Sequence, residues 1–489
     1  MLNVVVAALA LVPQPQKLLE TGGVSSATNV VYEADRGIAA EGYRLAVTKD
    51  RIVIASSDDA GAFYARQTLR QLGEPTPCVE IEDAPAYSWR GVLIDESRHF
   101  LGKATVKRVL DQMAYHKLNV LHWHLTDDQG WRIDVPGFPD LVRYGAVRAA
   151  SPVVGTRHRT ENGETVCVLD GVRYGPYYYT ESDIREIVDY AAQRHVTIVP
   201  EIEIPGHNFA ALCAYPEFAC FPQNLAKRSP RCHWGIEKDV LCVGNPSAIR
   251  FYERIFDYVC SVFPSKVIHI GGDECPRVRW KACPKCQRFI KEKNLGDEDG
   301  LQAWLTRHFA EYLAVKGRRI LGWEECLSCG DVPKDAIGMS WRMHGKSGAG
   351  TRFMTPLEIA SRGHDLVMTP VEFCYHDYSQ GLTDDPYAYM NAKGDIPLEK
   401  VYRYDPSHGI PDGLRAHVLG GQSNCWGEYI WNWIDLEWKM WPRAAAIAEV
   451  LWTNPARRDF ADFERRMDIH RRRLVAMGVN CAPWSKRME

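Results

Sequence analysis

Val120-Leu121-His122-Trp123-His124-Leu125-Thr126-Asp127-Asp128 is the stretch whose reading decides the fold. Its first five residues read as a strand, and the chain leaves that strand through an aspartate pair. Upstream, Gly91-Val92-Leu93-Ile94-Asp95 reads as another strand, followed by a helix from about Lys103 to Lys117. Downstream, Thr180-Glu181-Ser182-Asp183 has the Ser/Thr-x-x-acid form that opens a helix. Val196–Glu201 is a third strand and Val267–Ile270 a fourth. Arg319–Trp323, Ala336–Trp341, Asp365–Thr369 and Val418–Gly421 complete eight. Sustained alternation of strands and helices predicts an α/β fold, a (β/α)8 TIM barrel with long loops. A doubly wound open sheet is the alternative, but no G-x-G-x-x-G or P-loop string follows any strand.

Residues 1–85 predict a separate, small α/β domain, and residues 86–489 the barrel with C-terminal helices. Within the small domain, Tyr43–Val47 and Arg51–Ala55 read as a hairpin, and Ala60–Leu72 as an amphipathic helix. Asp83-Ala84-Pro85-Ala86 reads as a linker. The apolar segment Met1–Leu11 reads either as the tail of a signal sequence or as a first strand.

Composition narrows the function classes. A net charge of −3 gives no electrostatic case for nucleic acid or a membrane surface. No stretch reaches the ~20 apolar residues that span a bilayer. Fifteen tryptophans point to carbohydrate, because their faces stack on sugar rings. The fifteen cysteines include two C-x-x-C pairs, Cys283/Cys286 and Cys326/Cys329. These have the ligand count of a zinc site, but about forty residues part them, twice the usual gap. No metal or cofactor is therefore expected. A secreted location would favour Cys220 and Cys242 as a disulfide staple.

Polar and aromatic residues gather just after the strands, where a TIM barrel keeps its active site. The exits are Asp95-Glu96-Ser97-Arg98-His99, Thr126-Asp127-Asp128, Glu201 to His207, Gly271-Gly272-Asp273-Glu274, Trp323-Glu324-Glu325, Trp341, Tyr375 with Asp377, and Trp426 with Glu428. Asp273-Glu274 is the informative pair. Most glycosidases set two carboxylates about 5–9.5 Å apart across the scissile bond. Neighbours on an extended chain point to opposite sides, so these two cannot flank one bond. The arrangement suits chemistry in which the substrate's own 2-acetamido oxygen is the nucleophile.

With these strings in view, the chain resembles the family-20 glycoside hydrolases, the β-N-acetylhexosaminidases. The resemblance runs from Trp89 to about Trp452. It is carried by DESRHF (95–100), NVLHWHLTDDQGWR (119–132), PEIEIPGH (200–207), HIGGDE (269–274), LGWEE (321–325) and GGQSNCWGE (420–428). It implies that Glu274 is the general acid and base, that Asp273 holds the acetamido N–H, and that Tyr375 bonds the acetamido oxygen. It makes Asp127 and His207 a supporting pair, and Trp323, Trp341 and Trp426 the walls. Arg98, Asp377 and Glu428 would bind ring hydroxyls. Glu203 and His269 are not counted as catalytic. Glu203 and Glu324 stand where the family more often has Asp, and His376 is expected to add a polar contact at the sugar rim.

The implied partner is a glycan or glycoconjugate with a terminal N-acetylhexosamine. The implied location is secreted, periplasmic or lysosome-like; a cytoplasmic one stays open. Rival readings are a lacto-N-biosidase, decided by loop 378–415, a glycan-binding barrel without catalysis, and an ordinary two-carboxylate glycosidase.

Overall fold

Eight parallel strands close into a barrel: β6 (Trp89–Asp95), β7 (Val120–His124), β8 (Thr197–Glu201), β9 (Val267–His269), β10 (Arg319–Trp323), β11 (Ile337–Ser340), β12 (Leu366–Met368) and β13 (Val418–Cys425), with β13 pairing back onto β6. The computed structural model describes residues 9–153, 156, 158–159, 165–225, 228–343, 353–382 and 394–484. Residues 1–8 of the apolar N-terminal segment, and residues 383–393 of the loop at 378–415, lie outside the described residues.

β7 shows why these sequences make a barrel. Side chains alternate along a strand. Val120 joins an inner cluster with Leu93, Val199, Leu321 and Met339, while Leu121 and Trp123 face the outer core under the helices. His122 and His124 share Val120's inward face. Both are fully buried, so the barrel carries an apolar floor and a polar upper layer. In that layer Gln422 bonds His122 at 2.9 Å and Asn424 at 2.9 Å.

The helix Glu181–Ala192 starts as expected. Thr180 Oγ1 accepts from the Asp183 amide, and Asp183 accepts in return from the Thr180 amide. The helix Lys103–Tyr115 ends two residues before the expected Lys117. Lys117 instead takes a left-handed φ of +60° and turns its ammonium away from the helix. Among the described residues, no helix is long and apolar enough to cross a membrane.

Before the barrel lies a five-stranded sheet in the order β1-β5-β3-β4-β2. Its strands are β1 (Lys17–Val24), β2 (Val30–Ala34), β3 (Tyr43–Val47), β4 (Ile52–Ser56) and β5 (Pro77–Asp83), with the helix Asp59–Leu72 packed on them. β3 and β4 form the expected antiparallel hairpin. Residues 9–16 are not a strand, and Ala10, Leu11 and Val12 are buried.

The expected linker at Asp83 is a correction. Asp83 ends β5, is buried, and is where the two units lock together. Its Oδ2 accepts from Lys117 Nζ at 2.8 Å and from Tyr43 Oη at 2.6 Å, and its Oδ1 from Trp452 Nε1 at 2.9 Å. A second lock pairs buried Arg90 with Glu41 at 2.8 Å.

Removing one partner of a buried ion pair strands the other charge. Asp83→Ala is therefore expected to destabilise the protein by about 3–5 kcal/mol. Urea unfolding checks this, and a loss under ~1 kcal/mol would show that Lys117 finds another partner.

Candidate active site

All eleven residues selected from the sequence line one pocket of about 230 Å³ at the C-terminal mouth of the barrel. The reason is geometric: they lie at the ends of all eight strands, and parallel strands in a closed barrel all exit at one end. Arg98 comes from the exit of β6, Asp127 from β7 and His207 from β8. Asp273 and Glu274 follow β9, and Trp323 ends β10. Trp341, Tyr375 with Asp377, and Trp426 with Glu428 follow β11, β12 and β13.

A chain of buried polar groups runs up to the carboxylate pair. Glu201, at the end of β8, bonds His124 at 2.5 Å and accepts from Trp323 Nε1 at 2.9 Å, with His122 Nε2 at 2.9 Å and His269 Nδ1 at 2.8 Å beside it. His124 Nε2 reaches Asp127 Oδ2 at 3.0 Å. Asp127 also takes Arg98 Nη2 at 2.7 Å and faces His207 Nδ1 at 3.2 Å. The opposite nitrogen, His207 Nε2, lies 3.5 Å from Glu274 and 3.7 Å from Asp273.

The last contact corrects the expectation about Asp273 and Glu274. The chain is not extended there: φ is +67° at Gly271, +95° at Gly272 and +46° at Glu274. The pair therefore does not diverge, and both carboxylates approach one imidazole nitrogen. Gly271 is required for a second reason, since a Cβ on it would sit 1.7 Å from Glu203 Oε2. The two carboxylates differ in access. The Glu274 side chain is 35% exposed and that of Asp273 15%, so Glu274 is the one nearer the mouth.

Their electrostatics differ as well. Burial pushes Asp273 up to about 7, helped by the carboxylates of Glu325, Glu274 and Glu201 and opposed by His207. Burial also works to raise Glu274, but His207, Arg342 and Arg98 outweigh it and hold Glu274 below the usual carboxylate range. At His207, burial disfavours the charged ring, yet Asp127 and Asp273 overcome this and hold it well above the ordinary histidine range. Asp127 is drawn down despite its burial, because Arg98 and His207 both face it.

Aromatic rings complete the walls. Trp426 lies 5.7 Å from Trp323 and 6.1 Å from Tyr375, and Trp341 stacks along Tyr375 at 6.4 Å. Tyr375 is fixed by a parallel bridge to Asn424 of β13. The Arg98 guanidinium sits 5.3 Å over Trp426, with Nη1 on Asp95 at 3.0 Å and Nε on Gln129 at 3.0 Å. Burial and the neighbouring Glu428 push Asp377 up to about 7.

Among the described residues, Glu203, Tyr378 and Tyr429 also line the pocket. Glu203 could have been found, since it stands two residues after inward-facing Glu201. Glu325 and Arg342 brace the wall from behind. Glu325 accepts from Trp341 Nε1 at 3.3 Å and from the Glu274 amide at 3.5 Å, and Arg342 pairs with Glu325 and Glu324. Only the fold could reveal this brace. Asp128 bonds the amides of Phe209 and Glu237, both at 3.1 Å, and so anchors the loop that carries His207. His376 does not reach the sugar rim. It is fully buried, with Nδ1 on Ser423 Oγ at 2.6 Å.

Residues 87–455 match the catalytic domain of glycosyl hydrolase family 20, and residues 7–84 match domain 2 of that family. A β-hexosaminidase of Porphyromonas gingivalis is 40% identical over 456 residues, 90% of this chain and 54% of that protein. The chain thus spans about half the length of that relative. A β-hexosaminidase of Akkermansia muciniphila is 33% identical, covering 89% of this chain and 84% of its own. Among solved structures, a β-N-acetylhexosaminidase superposes with a TM-score of 0.85 at 30% identity, over 98% of each chain. An exo-β-N-acetylglucosaminidase from Vibrio harveyi, solved with N-acetylglucosamine, has a TM-score of 0.81 at 28% identity, over 98% of this chain and 79% of its own. With the catalytic-domain match covering most of its length, this chain belongs to glycoside hydrolase family 20.

Proposed function

We propose that the chain is an exo-acting β-N-acetylhexosaminidase. It removes terminal, non-reducing β-linked GlcNAc or GalNAc with retention, using the substrate's acetamide as nucleophile. One observation carries this reading: Asp273 and Glu274 approach the same atom, His207 Nε2, at 3.7 and 3.5 Å. An oxygen of each lies within 4.8 Å of the other. That is closer than the about 5–5.5 Å of a retaining nucleophile–acid pair or the about 6.5–9.5 Å of an inverting one, which favours their sitting side by side over their bracketing a glycosidic bond. The nucleophile is then best supplied by the sugar.

In the first step the acetamido oxygen bonds to the anomeric carbon as the glycosidic C–O bond breaks. Glu274 gives its proton to the departing oxygen. Asp273 accepts a hydrogen bond from the acetamido N–H and balances the positive charge of the oxazolinium. Tyr375 donates to the attacking oxygen, and Trp323, Trp341 and Trp426 hold the acetamide in place and keep water out. Water then attacks the anomeric carbon, returns a proton to Glu274 and frees the sugar.

His207 supplies the protonation that this cycle needs. The raised pKa of His207 and the lowered pKa of Glu274 favour the proton on the imidazole. An uncharged sugar that displaces water around Glu274 raises the cost of its charge, and the proton moves to the carboxylate. The pocket volume of about 230 Å³ is below the roughly 300–1,000 Å³ of sites for larger ligands. It accommodates a single sugar, which supports the exo reading over release of a disaccharide.

Aryl β-N-acetylglucosaminide and β-N-acetylgalactosaminide should both be hydrolysed, and the aryl β-glucoside should not. Glu274→Gln should lower kcat by about 10²–10⁴-fold. Comparable turnover of the plain glucoside would sink the substrate-assisted reading.

The pH dependence has a definite sign. His207 is protonated below its raised folded pKa, so what its proton contributes is lost as pH rises through it, while Asp273, pushed up to about 7, must lose its proton to balance the oxazolinium and sets the acid limb. Asp127→Asn removes a carboxylate that supports the charged ring, and the alkaline limb of kcat/KM should move to lower pH. Imidazole ¹⁵N shifts followed through the same range should show His207 titrating earlier in the variant. An unmoved limb and an unmoved titration would exclude the Asp127–His207 coupling.

A further inference from the structure

Four cysteines outside the pocket come together from three separate places in the chain. Cys220 and Cys242 lie in the loop that follows β8, and Cys283 and Cys286 in the loop that follows β9. All four are buried, and their sulfurs lie within 4.8 Å of one another. The Sγ–Sγ separation is 3.8 Å for Cys220–Cys286, for Cys242–Cys283 and for Cys242–Cys286. None of the fifteen cysteines is in a disulfide.

Those separations have a specific meaning. A tetrahedral zinc ion with Zn–S bonds of about 2.3 Å places its sulfurs about 3.8 Å apart. A disulfide would need about 2.0 Å. We propose that Cys220, Cys242, Cys283 and Cys286 bind one structural zinc ion as a closed tetrathiolate site.

The local chain is shaped for it. Cys283-Pro284-Lys285-Cys286 is a C-x2-C turn that opens the helix Pro284–Glu292. The other two ligands are held by main-chain pairing: Ala219 bridges Leu241, and the Cys242 amide donates to Phe218 O at 2.8 Å. Gly244 lets the loops close on each other, because a Cβ there would sit 2.4 Å from the Lys285 backbone. Trp280 Nε1 ties the two loops once more, donating to Leu241 O at 2.8 Å.

The second C-x-x-C pair takes no part. Cys326 Sγ bonds Gly271 O at 3.2 Å, and Cys329 accepts from Arg277 at 3.5 Å. The zinc ligands are thus one close pair joined to two distant single cysteines, not the two pairs that the sequence suggests.

The position gives the ion a task. The loop after β8 carries His207, and the loop after β9 carries Asp273 and Glu274. Among its described residues the first loop holds only the short helix Phe209–Ala214 and two 3-10 turns. A loop of that length needs an anchor to hold a side chain in register. Zinc would clamp the two loops and so keep His207 facing the carboxylates.

Metal content tests this independently of any hydrolase activity. Protein made in zinc-supplemented medium should carry about one zinc per chain by plasma mass spectrometry. Cys242→Ser and Cys286→Ser should lose that zinc, and their thermal midpoints should fall. Should those variants fail to fold, the native protein still decides. Titration with p-hydroxymercuribenzoate should release the zinc to a chromogenic chelator as four thiols react. Iron in place of zinc, no stoichiometric metal, or an intact mass and alkylation pattern showing these cysteines in disulfides would each overturn the site.

Discussion

Glu201 is a carboxylate at the centre of the barrel with no access to water, and the rest of the site depends on how its charge is met. Burying an unpaired carboxylate is prohibitive, so it must be surrounded by donors. His124 and Trp323 bond it directly, and the rings of His122 and His269 close around it at 2.9 and 2.8 Å, from three different strands. The result is a rigid layer between the apolar barrel floor and the open pocket. Because His124 is fixed on Glu201, Asp127 is fixed on His124, and His207 is fixed on Asp127. The two carboxylates at the mouth therefore face an imidazole whose position and charge are set from below.

Above this layer the backbone is bent into conformations that a strand exit does not ordinarily adopt. His207 and Glu274 both have left-handed φ, +47° and +46°. Non-glycine residues hold such angles only where surrounding contacts impose them, and active sites are where this is common. Asp128 pins the loop of His207 through two amides, while Glu325 and Gly271 constrain the turn that carries Glu274. Strain and bracing together turn two adjacent carboxylates toward one nitrogen. This lets one titrate high and the other low although they are sequence neighbours.

Much of the architecture was legible in the residues. β7 and β10 fall where the apolar runs place them, and the other strands differ by a few residues at their ends. Runs of that kind are read well because burial on both faces leaves little room for polar residues. The small domain was less legible: only its hairpin and helix were anticipated, since β1 and β2 are largely exposed and without a strong apolar pattern. Asp83 read as a linker because acid, alanine and proline are loop-like in composition. Its partner Lys117 lies far along the chain, and no local pattern reports such a pair.

The sequence by itself determined the barrel, the strand exits and the eleven side chains that meet at its mouth. Periodicity and spacing are local, and a closed parallel barrel converts local order into convergence at one end. The tertiary structure alone decided the directions. It turned Asp273 and Glu274 to the same side, sent His376 into the core, and joined Cys220 and Cys242 to one C-x2-C pair and not the other. Each of these depends on a left-handed φ, a loop path or a packing contact between residues far apart in the chain, and none leaves a periodic trace in the sequence.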